Sequence, residues 1–160
     1  MKYVIVGAPG TGKEEVGRKL WVKTDIEPVN VKTDDIGFLA DYREELSLAT
    51  SRALFPGDDP SIQYHSLIDS VSYAALRLTG LLNYDRENQE EIARWAVVFD
   101  ACVIMLNDGY DADTTLYIPY KGDDQDSKDL DEALRATLDA VPIAYKVIDP
   151  EAEVDTWISS

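Results

Sequence analysis

The sequence has almost no cysteine or histidine. Cys102 is the only cysteine, and it lies in the apolar run ACVIML. One chain can therefore form neither an internal disulfide nor a cysteine-based metal site. This usage is typical of a reducing compartment, and we expect a cytoplasmic protein.

Basic charge and long apolar runs are scarce as well. The 160 residues include 15 basic and 31 acidic side chains, for a net charge of -16. Such a charge repels polyanions, which argues against bulk nucleic-acid binding, although it could complement a basic protein partner. No run approaches the roughly 20 apolar residues that cross a bilayer, so we expect no membrane association.

What the sequence does contain is an alternation of strand-like apolar runs and helix-period segments. This pattern predicts an α/β fold, a three-layer sandwich with a mostly parallel central sheet of about five strands. At 45% hydrophobic composition the chain can bury one good core. We predict a single domain over residues 1–150 and a peripheral tail over residues 151–160.

The individual elements follow from hydrophobic periodicity. The predicted strands are residues 3–6, 29–31, 61–64, 101–106 and 143–148. The run 101–106 is the most strand-like and is predicted to be a central strand. Helices are predicted from Gly12, around residues 39–53 and 67–78, around Trp95, and after a Ser127 cap. The polar segment 107–126, with a short extended piece near residues 116–119, is predicted to be a long loop and a candidate lid.

The residues GAPGTGK, between the first predicted strand and helix, match the Walker A spacing. They are Gly7, Ala8, Pro9, Gly10, Thr11, Gly12 and Lys13. Glycines at this spacing let backbone N–H groups converge on an anion at the positive end of a helix. Lys13 would add a point charge for the β and γ phosphates of a nucleotide. The alternative is a glycine-rich turn that binds nothing.

Glu14 departs from this motif, which places Ser or Thr after the lysine to hold magnesium. A carboxylate is a competent Mg²⁺ ligand, yet it brings negative charge to a polyphosphate site. Glu14 is therefore either an unusual metal ligand or a sign of weakened catalysis. A third possibility is that the helix dipole alone stabilises it in the first turn.

With these residues the chain resembles the P-loop NTPase superfamily, and most closely its small nucleoside and nucleotide kinases. Ribosylnicotinamide-kinase-like and phage nucleotide-kinase-like ATPases are the nearest comparison. The other matching segments are TDDIGFLADYREEL, YHSLIDSVSYAALRL, FDACVIML and DSKDLDEALRATLDAVPIAYKVI. The resemblance implies ATP and Mg²⁺ as cofactors and a small-molecule phosphate acceptor as substrate.

The resemblance also implies roles for residues after the second strand. Asp34 or Asp35 would contact the acceptor hydroxyl or its metal, with Asp35 as the catalytic candidate. Arg43 would grip a phosphate of the acceptor. Capping or turn formation is the alternative for the aspartates, and a surface salt bridge with a nearby glutamate is the alternative for Arg43.

Asp69 resembles the acidic group that holds magnesium from a neighbouring strand end. Its competing explanation is structural, because Ser66 and Asp69 have the spacing of a capping box before an apolar helix. His65 could lie near the site, although a surface position is the simpler expectation. Asp108, at the end of the predicted strand 101–106, is a second Walker-B-like candidate.

The supply of positive charge is the weak point of a kinase interpretation. Active kinases stabilise the transferred phosphoryl group with lid arginines, but no arginine occurs between Arg94 and Arg135. Lys121 and Lys128 are the candidate phosphate-binding residues of the lid, and they lack the planar fork of arginine.

Three functional hypotheses follow. The first is a nucleoside or nucleotide kinase in which Lys13 and magnesium stabilise charge. The second is a weakened or inactive P-loop domain that serves as a structural or adaptor subunit, for instance in a phage particle. It would then occupy the host cytoplasm or the virion, with a homo-oligomer or assembly partner. The third is an ATPase switch, for which no sensor or finger residue is evident.

Overall fold

Strands and helices alternate along most of the chain, in a computed structural model that describes residues 1–29, 41–55 and 57–158. The strands are β1 (Lys2–Val6), β2 (Pro28–Val29), β3 (Ser61–Gln63), β4 (Thr114–Tyr117) and β5 (Lys146–Val147). The helices are α1 (Lys13–Thr24), α2 (Tyr42–Leu54), α3 (Leu67–Tyr84), α4 (Gln89–Gly109), α5 (Gln125–Ala140) and α6 (Asp155–Ile158).

The five strands form one parallel sheet in the order β2-β3-β1-β4-β5. The strand β1 is central, with Tyr3 opposite Ile62 of β3 and Thr114 of β4. Its sequence is almost continuously apolar because helices cover both faces of the sheet. The predicted α/β sandwich with a parallel five-stranded sheet is confirmed, and the fold is of the P-loop NTPase type.

Each face of the sheet has its own hydrophobic core. Successive side chains of a strand point to opposite faces, so Val4 and Val6 pack with helices α2 to α5, whereas Tyr3 and Ile5 pack with α1 and α6. The loop that follows β1 therefore emerges between two packed layers. The packed layers thus fix the positions of both ends of this loop.

The predicted central strand over residues 101–106 is wrong, because these residues lie within the continuous helix α4. The buried side of α4 carries Trp95, Val98, Cys102 and Leu106 at helical spacing. Other apolar side chains lie on its outer face, where Val97 is 64% and Ile104 is 59% exposed. They fill the gaps in the helical pattern, which makes the segment resemble a strand.

The predicted long loop over residues 107–126 is also wrong. Its first residues end α4, and its middle forms β4, which pairs with the central strand β1. The connecting segment is reduced to residues 118–124. Helix α5 then begins at Gln125, and its cap is Asp124, whose Oδ2 accepts the Ser127 amide at 3.0 Å. The Ser127 amide therefore donates to the cap, and Ser127 is not itself the N-cap.

The tail predicted to be peripheral packs onto the fold. Trp157 of α6 is 1% exposed and belongs to the same core as Ile5. The preceding strand β5 covers only part of the predicted run 143–148. In the predicted strand 29–31, Val29 ends β2, and residues 30–31 lie outside the described ranges.

None of the helices within the described ranges combines the length and the apolarity needed to span a membrane.

Candidate functional site

The loop between β1 and α1 is curled rather than extended. Gly10 and Gly12 adopt φ angles of 84° and 94°, in the left-handed region that favours glycine. Within the same loop the Thr11 hydroxyl donates to the Ala8 carbonyl at 2.8 Å. The glycine spacing thus produces the tight turn that an anion-binding loop requires.

The start of α1 differs from the starts of the other long helices. Its N-cap, Gly12, has no side chain to accept a hydrogen bond, and the first bond within the helix is from the Val16 amide to the Gly12 carbonyl at 3.1 Å. Side chains cap the helices α2 to α5, namely Asp41, Ser66, Asn88 and Asp124. Among the described residues, the amides of Ala8, Gly10, Thr11 and Gly12 donate to no protein group, and Pro9 has no N–H. These donors can serve an anion.

Lys13 begins α1 and is buried, with 8% of the residue exposed. It lies close enough to Asp69 for its charge to lower the pKa of that carboxyl group. Its ammonium group therefore lies within electrostatic range of the start of α3. The first turn of α1 and the first turn of α3 therefore contribute to one polar cluster beside the loop.

Asp69 forms the capping box of α3 that its spacing with Ser66 predicts. The Ser66 amide donates to Asp69 Oδ2 at 2.9 Å, and the Ile68 amide donates to Ser66 Oγ at 3.2 Å. Burial opposes ionisation of Asp69, but His65, Lys13 and Arg52 favour it and lower its pKa to about 2. Asp69 is thus an ionised carboxylate at neutral pH that both caps a helix and lies near Lys13.

His65 is half-buried rather than at the surface, with its Nδ1 atom 3.8 Å from Asp69 Oδ1. That distance is too long for a hydrogen bond, so the contact is an ion pair only when the imidazole is protonated. The strand β3 ends two residues earlier, at Gln63, which places His65 at the carboxyl edge of the sheet beside the loop.

Arg52 is a residue that the sequence analysis missed. It is 5% exposed on α2, its Nη1 atom donates to Ser70 Oγ at 2.8 Å, and its charge also lowers the pKa of Asp69. A signal was present, because Arg52 shares the buried helical stripe of α2 with Glu45 and Ala49. An arginine in such a stripe needs an acidic partner, and Asp69 is one.

Glu14 is the exposed second residue of α1. Together with burial, its charge raises the pKa of Tyr64, which follows β3 directly. Glu14 therefore lies within electrostatic range of the Tyr64 hydroxyl, which packs against Gly17 of α1. Glu15 beside it forms an exposed ion pair with Arg18, at 2.6 Å, and takes no part in the cluster.

No protein-family model matches the sequence, and no curated protein is significantly similar to it. Solved structures do match its fold. Deoxyadenosine kinase from M. mycoides with bound dATP has a TM-score of 0.64 at 16% identity, covering 99% of this chain and 95% of that one. The dCTP-bound form of the same kinase gives 0.63. NadR in complex with NR gives 0.63 at 15% identity, and the match covers 94% of this chain and 44% of NadR.

The chain shares its fold with these solved structures. In this fold the loop after β1 lies at a point where the strand order reverses, because β2 and β3 lie on one side of β1 while β4 and β5 lie on the other. Open α/β sheets bind ligands in the crevice at such a point, outside the carboxyl ends of the strands. Gly12, Lys13, His65 and Asp69 all lie at that edge.

Of the other predicted site residues, the described Arg43, Lys121 and Lys128 are exposed. Asp34 and Asp35 lie outside the described residues. Arg43 is exposed at the start of α2, where its Nε atom donates to Tyr42 Oη at 3.1 Å. Lys121, in the segment 118–124, and Lys128, near the start of α5, are both exposed.

Asp108 lies in the last turn of α4 and is exposed, so it does not end a strand. Its predicted Walker-B-like position is wrong, for the same reason that the strand 101–106 is wrong. Cys102, in the same helix, is a buried free thiol whose pKa is raised to about 12 by burial. Neither residue contributes to the candidate site.

Tyr120 is a second residue that the sequence analysis missed. A Cβ atom added to Gly10 would lie 3.8 Å from its ring, so the ring borders the P-loop. Two bonds hold it there. Its hydroxyl accepts the Asp124 amide at 3.0 Å, and its own amide donates to Asp131 Oδ1 at 3.2 Å. The segment 118–124 thus contacts the P-loop through an aromatic side chain.

Proposed function

We propose that this chain binds ATP at the loop of residues 7–13 and acts as a nucleoside or nucleotide kinase-like phosphotransferase. The observation that carries the proposal is the start of α1, where glycines form a tight turn, side-chain capping is lacking and Lys13 is buried beside the loop. A helix start of this kind attracts phosphate through its amides and dipole. The resemblance of the fold to nucleoside kinases adds support.

In this proposal the loop amides bind the phosphate oxygens of ATP, and Lys13 stabilises the charge that develops during transfer. Since Lys13 is buried, it acts in a region of lower dielectric, where one positive charge is worth more than in water. Tyr120 borders the loop and would limit the access of water to the phosphates.

The carboxylates at the site meet the needs of a magnesium ion in part. Mg²⁺ in such proteins uses one or two carboxylates together with substrate phosphates. Asp69 is ionised, although Oδ2 already accepts the Ser66 amide, and Glu14 is exposed on the neighbouring face. We propose Glu14 and Asp69 as the groups that would hold the metal, which would neutralise phosphate charge. ATP titrations of Glu14→Thr with and without Mg²⁺ test this, since a ligand role predicts weaker binding and a disabling role predicts tighter binding.

The acceptor is proposed to be a nucleoside or nucleotide. The similar kinase structures hold dATP, dCTP or NR, which supports a nucleoside-like ligand class. Asp35, with Asp34, is proposed to position the acceptor hydroxyl, and Arg43 to bind an acceptor phosphate from α2. Lys121, in the segment 118–124, and Lys128, near the start of α5, are the proposed phosphate contacts.

The test is a turnover screen of the purified protein with ATP, Mg²⁺ and pooled nucleosides and nucleotides. We expect ADP formation that depends on an acceptor and is abolished by Lys13→Ala. Lys23→Ala is the matched control, because Lys23 is an exposed lysine in the last turn of the same helix. Absence of turnover with every acceptor would overturn the kinase proposal.

A second candidate function is a P-loop domain that has lost catalysis and serves as a structural or adaptor subunit. Glu14 in place of Ser or Thr favours it, as does the segment 118–124, whose only basic residue is Lys121. The two functions differ in solution. An adaptor would occur in a large particle or complex without turnover, whereas rapid ATP consumption by a monomer would exclude it.

A further inference from the structure

The segment that follows β5 packs against the back of the P-loop. Gly12 is the N-cap of α1, and a Cβ atom added to it would lie 3.3 Å from Cγ of Pro150. The proline ring therefore lies in van der Waals contact range of the residue at which the loop becomes a helix. A displacement of Pro150 would leave Gly12 unsupported on this side.

Lys19 holds Pro150 in this place. Its Nζ atom donates a hydrogen bond of 2.6 Å to the Pro150 carbonyl. The same ammonium group lies 5.7 Å from the centroid of the Trp157 ring, within the range of a cation–π interaction. One side chain of α1 thus contacts both ends of the segment after β5.

Trp157 anchors the far end of this segment. It is buried in the core that contains Val16 and Leu20 of α1, and its carbonyl accepts the Lys146 ammonium at 3.1 Å. The segment 149–157 is therefore fixed to the sheet and to α1 independently of the P-loop. Pro150 belongs to this segment, so its ring is a fixed neighbour of Gly12.

We infer that Lys19 is a positioning residue of the P-loop, which keeps Pro150 against Gly12 and so holds the loop amides in their anion-binding arrangement. The inference rests on the proposed function of the loop. Lys19 lies six residues after Lys13, a rise of roughly 9 Å along the helix. It therefore acts through Pro150 and not by binding phosphate itself.

The chain offers a matched control for this inference. Lys23 also joins α1 to the same segment, through an exposed ion pair with Asp155 at 3.0 Å, but it does not contact Pro150. Lys19→Gln and Lys23→Gln each remove one positive charge from the same helix. Only the first removes the charge-assisted bond to Pro150, so the pair separates positioning from electrostatics.

The first measurement is hydrogen–deuterium exchange of the ligand-free protein, which does not depend on nucleotide binding. In Lys19→Gln we expect the peptide covering residues 12–17, in which the Val16 amide donates to the Gly12 carbonyl, to exchange roughly tenfold faster, as befits the loss of a charge-assisted hydrogen bond. Pro150→Ala, which removes the ring from Gly12 directly, should do the same. Lys23→Gln should leave this peptide unchanged, and Lys19→Arg should restore protection because it keeps a cationic donor. Unchanged exchange in both Lys19→Gln and Pro150→Ala would overturn the inference.

The second measurement is ATP affinity. We expect roughly tenfold weaker binding in Lys19→Gln and wild-type affinity in Lys23→Gln. If the wild-type chain binds no ATP, the proposed function fails while the exchange experiment still decides the positioning role. If the wild type binds and Lys19→Gln binds equally well, the inference alone is contradicted.

Discussion

Asp69 shows at the residue scale how one side chain can serve both the fold and the candidate site. Its carboxylate completes the capping box of α3, which is a sufficient structural reason for an aspartate. It also lies within the electrostatic reach of Lys13, His65 and Arg52. The two explanations considered from the sequence are therefore compatible, and the cap fixes the carboxylate where the cluster needs it.

The lowered pKa of Asp69 makes stability depend on pH. Its pKa is about 2 in the folded chain against an ordinary 3.8, so ionised Asp69 stabilises the fold above about pH 4. This contribution, about 2 kcal/mol, is lost as the pH falls through about 2. In urea titrations, the free-energy difference between wild type and Asp69→Asn should shrink as the pH falls from about 4 to about 2. A difference that does not change down to pH 2 would contradict this account of Asp69.

At the element scale, the close packing of α1 predicts that two matched glycine-to-alanine substitutions have opposite effects on stability. Gly17 and Gly80 are both helical, in α1 and α3. A Cβ atom on Gly17 would lie 2.1 Å from Tyr64 Oη, whereas one on Gly80 would meet no atom of the described chain within 4 Å. Gly17 thus permits the close packing of α1 against Tyr64.

Gly80→Ala should therefore stabilise the protein by up to about 1 kcal/mol, through the better helix propensity of alanine. Gly17→Ala should destabilise it, because an overpacking cost of roughly 1–3 kcal/mol exceeds the same gain. Thermal unfolding of the two variants checks the prediction. Equal shifts in melting temperature, or stabilisation by Gly17→Ala, would show that α1 is not packed against Tyr64 as described.

Much of the fold was predictable at this scale because local and global signals agree. The strand β1, the tight loop and α1 all follow from MKYVIVGAPGTGK, where an apolar run, a glycine turn and a helix period occur in sequence. The capping box of Ser66 and Asp69 likewise marks the start of α3. Local chemistry decides these boundaries, so no knowledge of tertiary contacts was needed.

The failures have three different physical causes. In α4 the exposed Val97 and Ile104 hide the helical spacing of the buried side, so periodicity favoured a strand. Part of β4 was predicted as the short extended piece near residues 116–119, but the acidic residues around the run TTLYI favoured a loop. Arg52 and Tyr120 were missed because their importance depends on contacts with Asp69 and Gly10, which are distant in sequence.

The net charge of -16 is a property of the whole molecule. Like charges repel in the compact state, and salt screens this repulsion. Raising sodium chloride from low to physiological concentration at pH 7 should therefore raise the melting temperature. Near the isoelectric point, where the net charge vanishes, the same addition should have little effect. A melting temperature at pH 7 that falls with added salt would contradict this prediction.

The central claim is that the P-loop amides and Lys13 bind the phosphates of a nucleotide. A titration of isotope-labelled protein with ATP, followed by amide NMR shifts, tests it most directly. We predict saturable shifts concentrated in residues 7–14, with a Kd roughly between 1 μM and 1 mM, which Lys13→Ala abolishes. Shifts that are absent from these residues at millimolar ATP, or that are equal in Lys13→Ala, would contradict it.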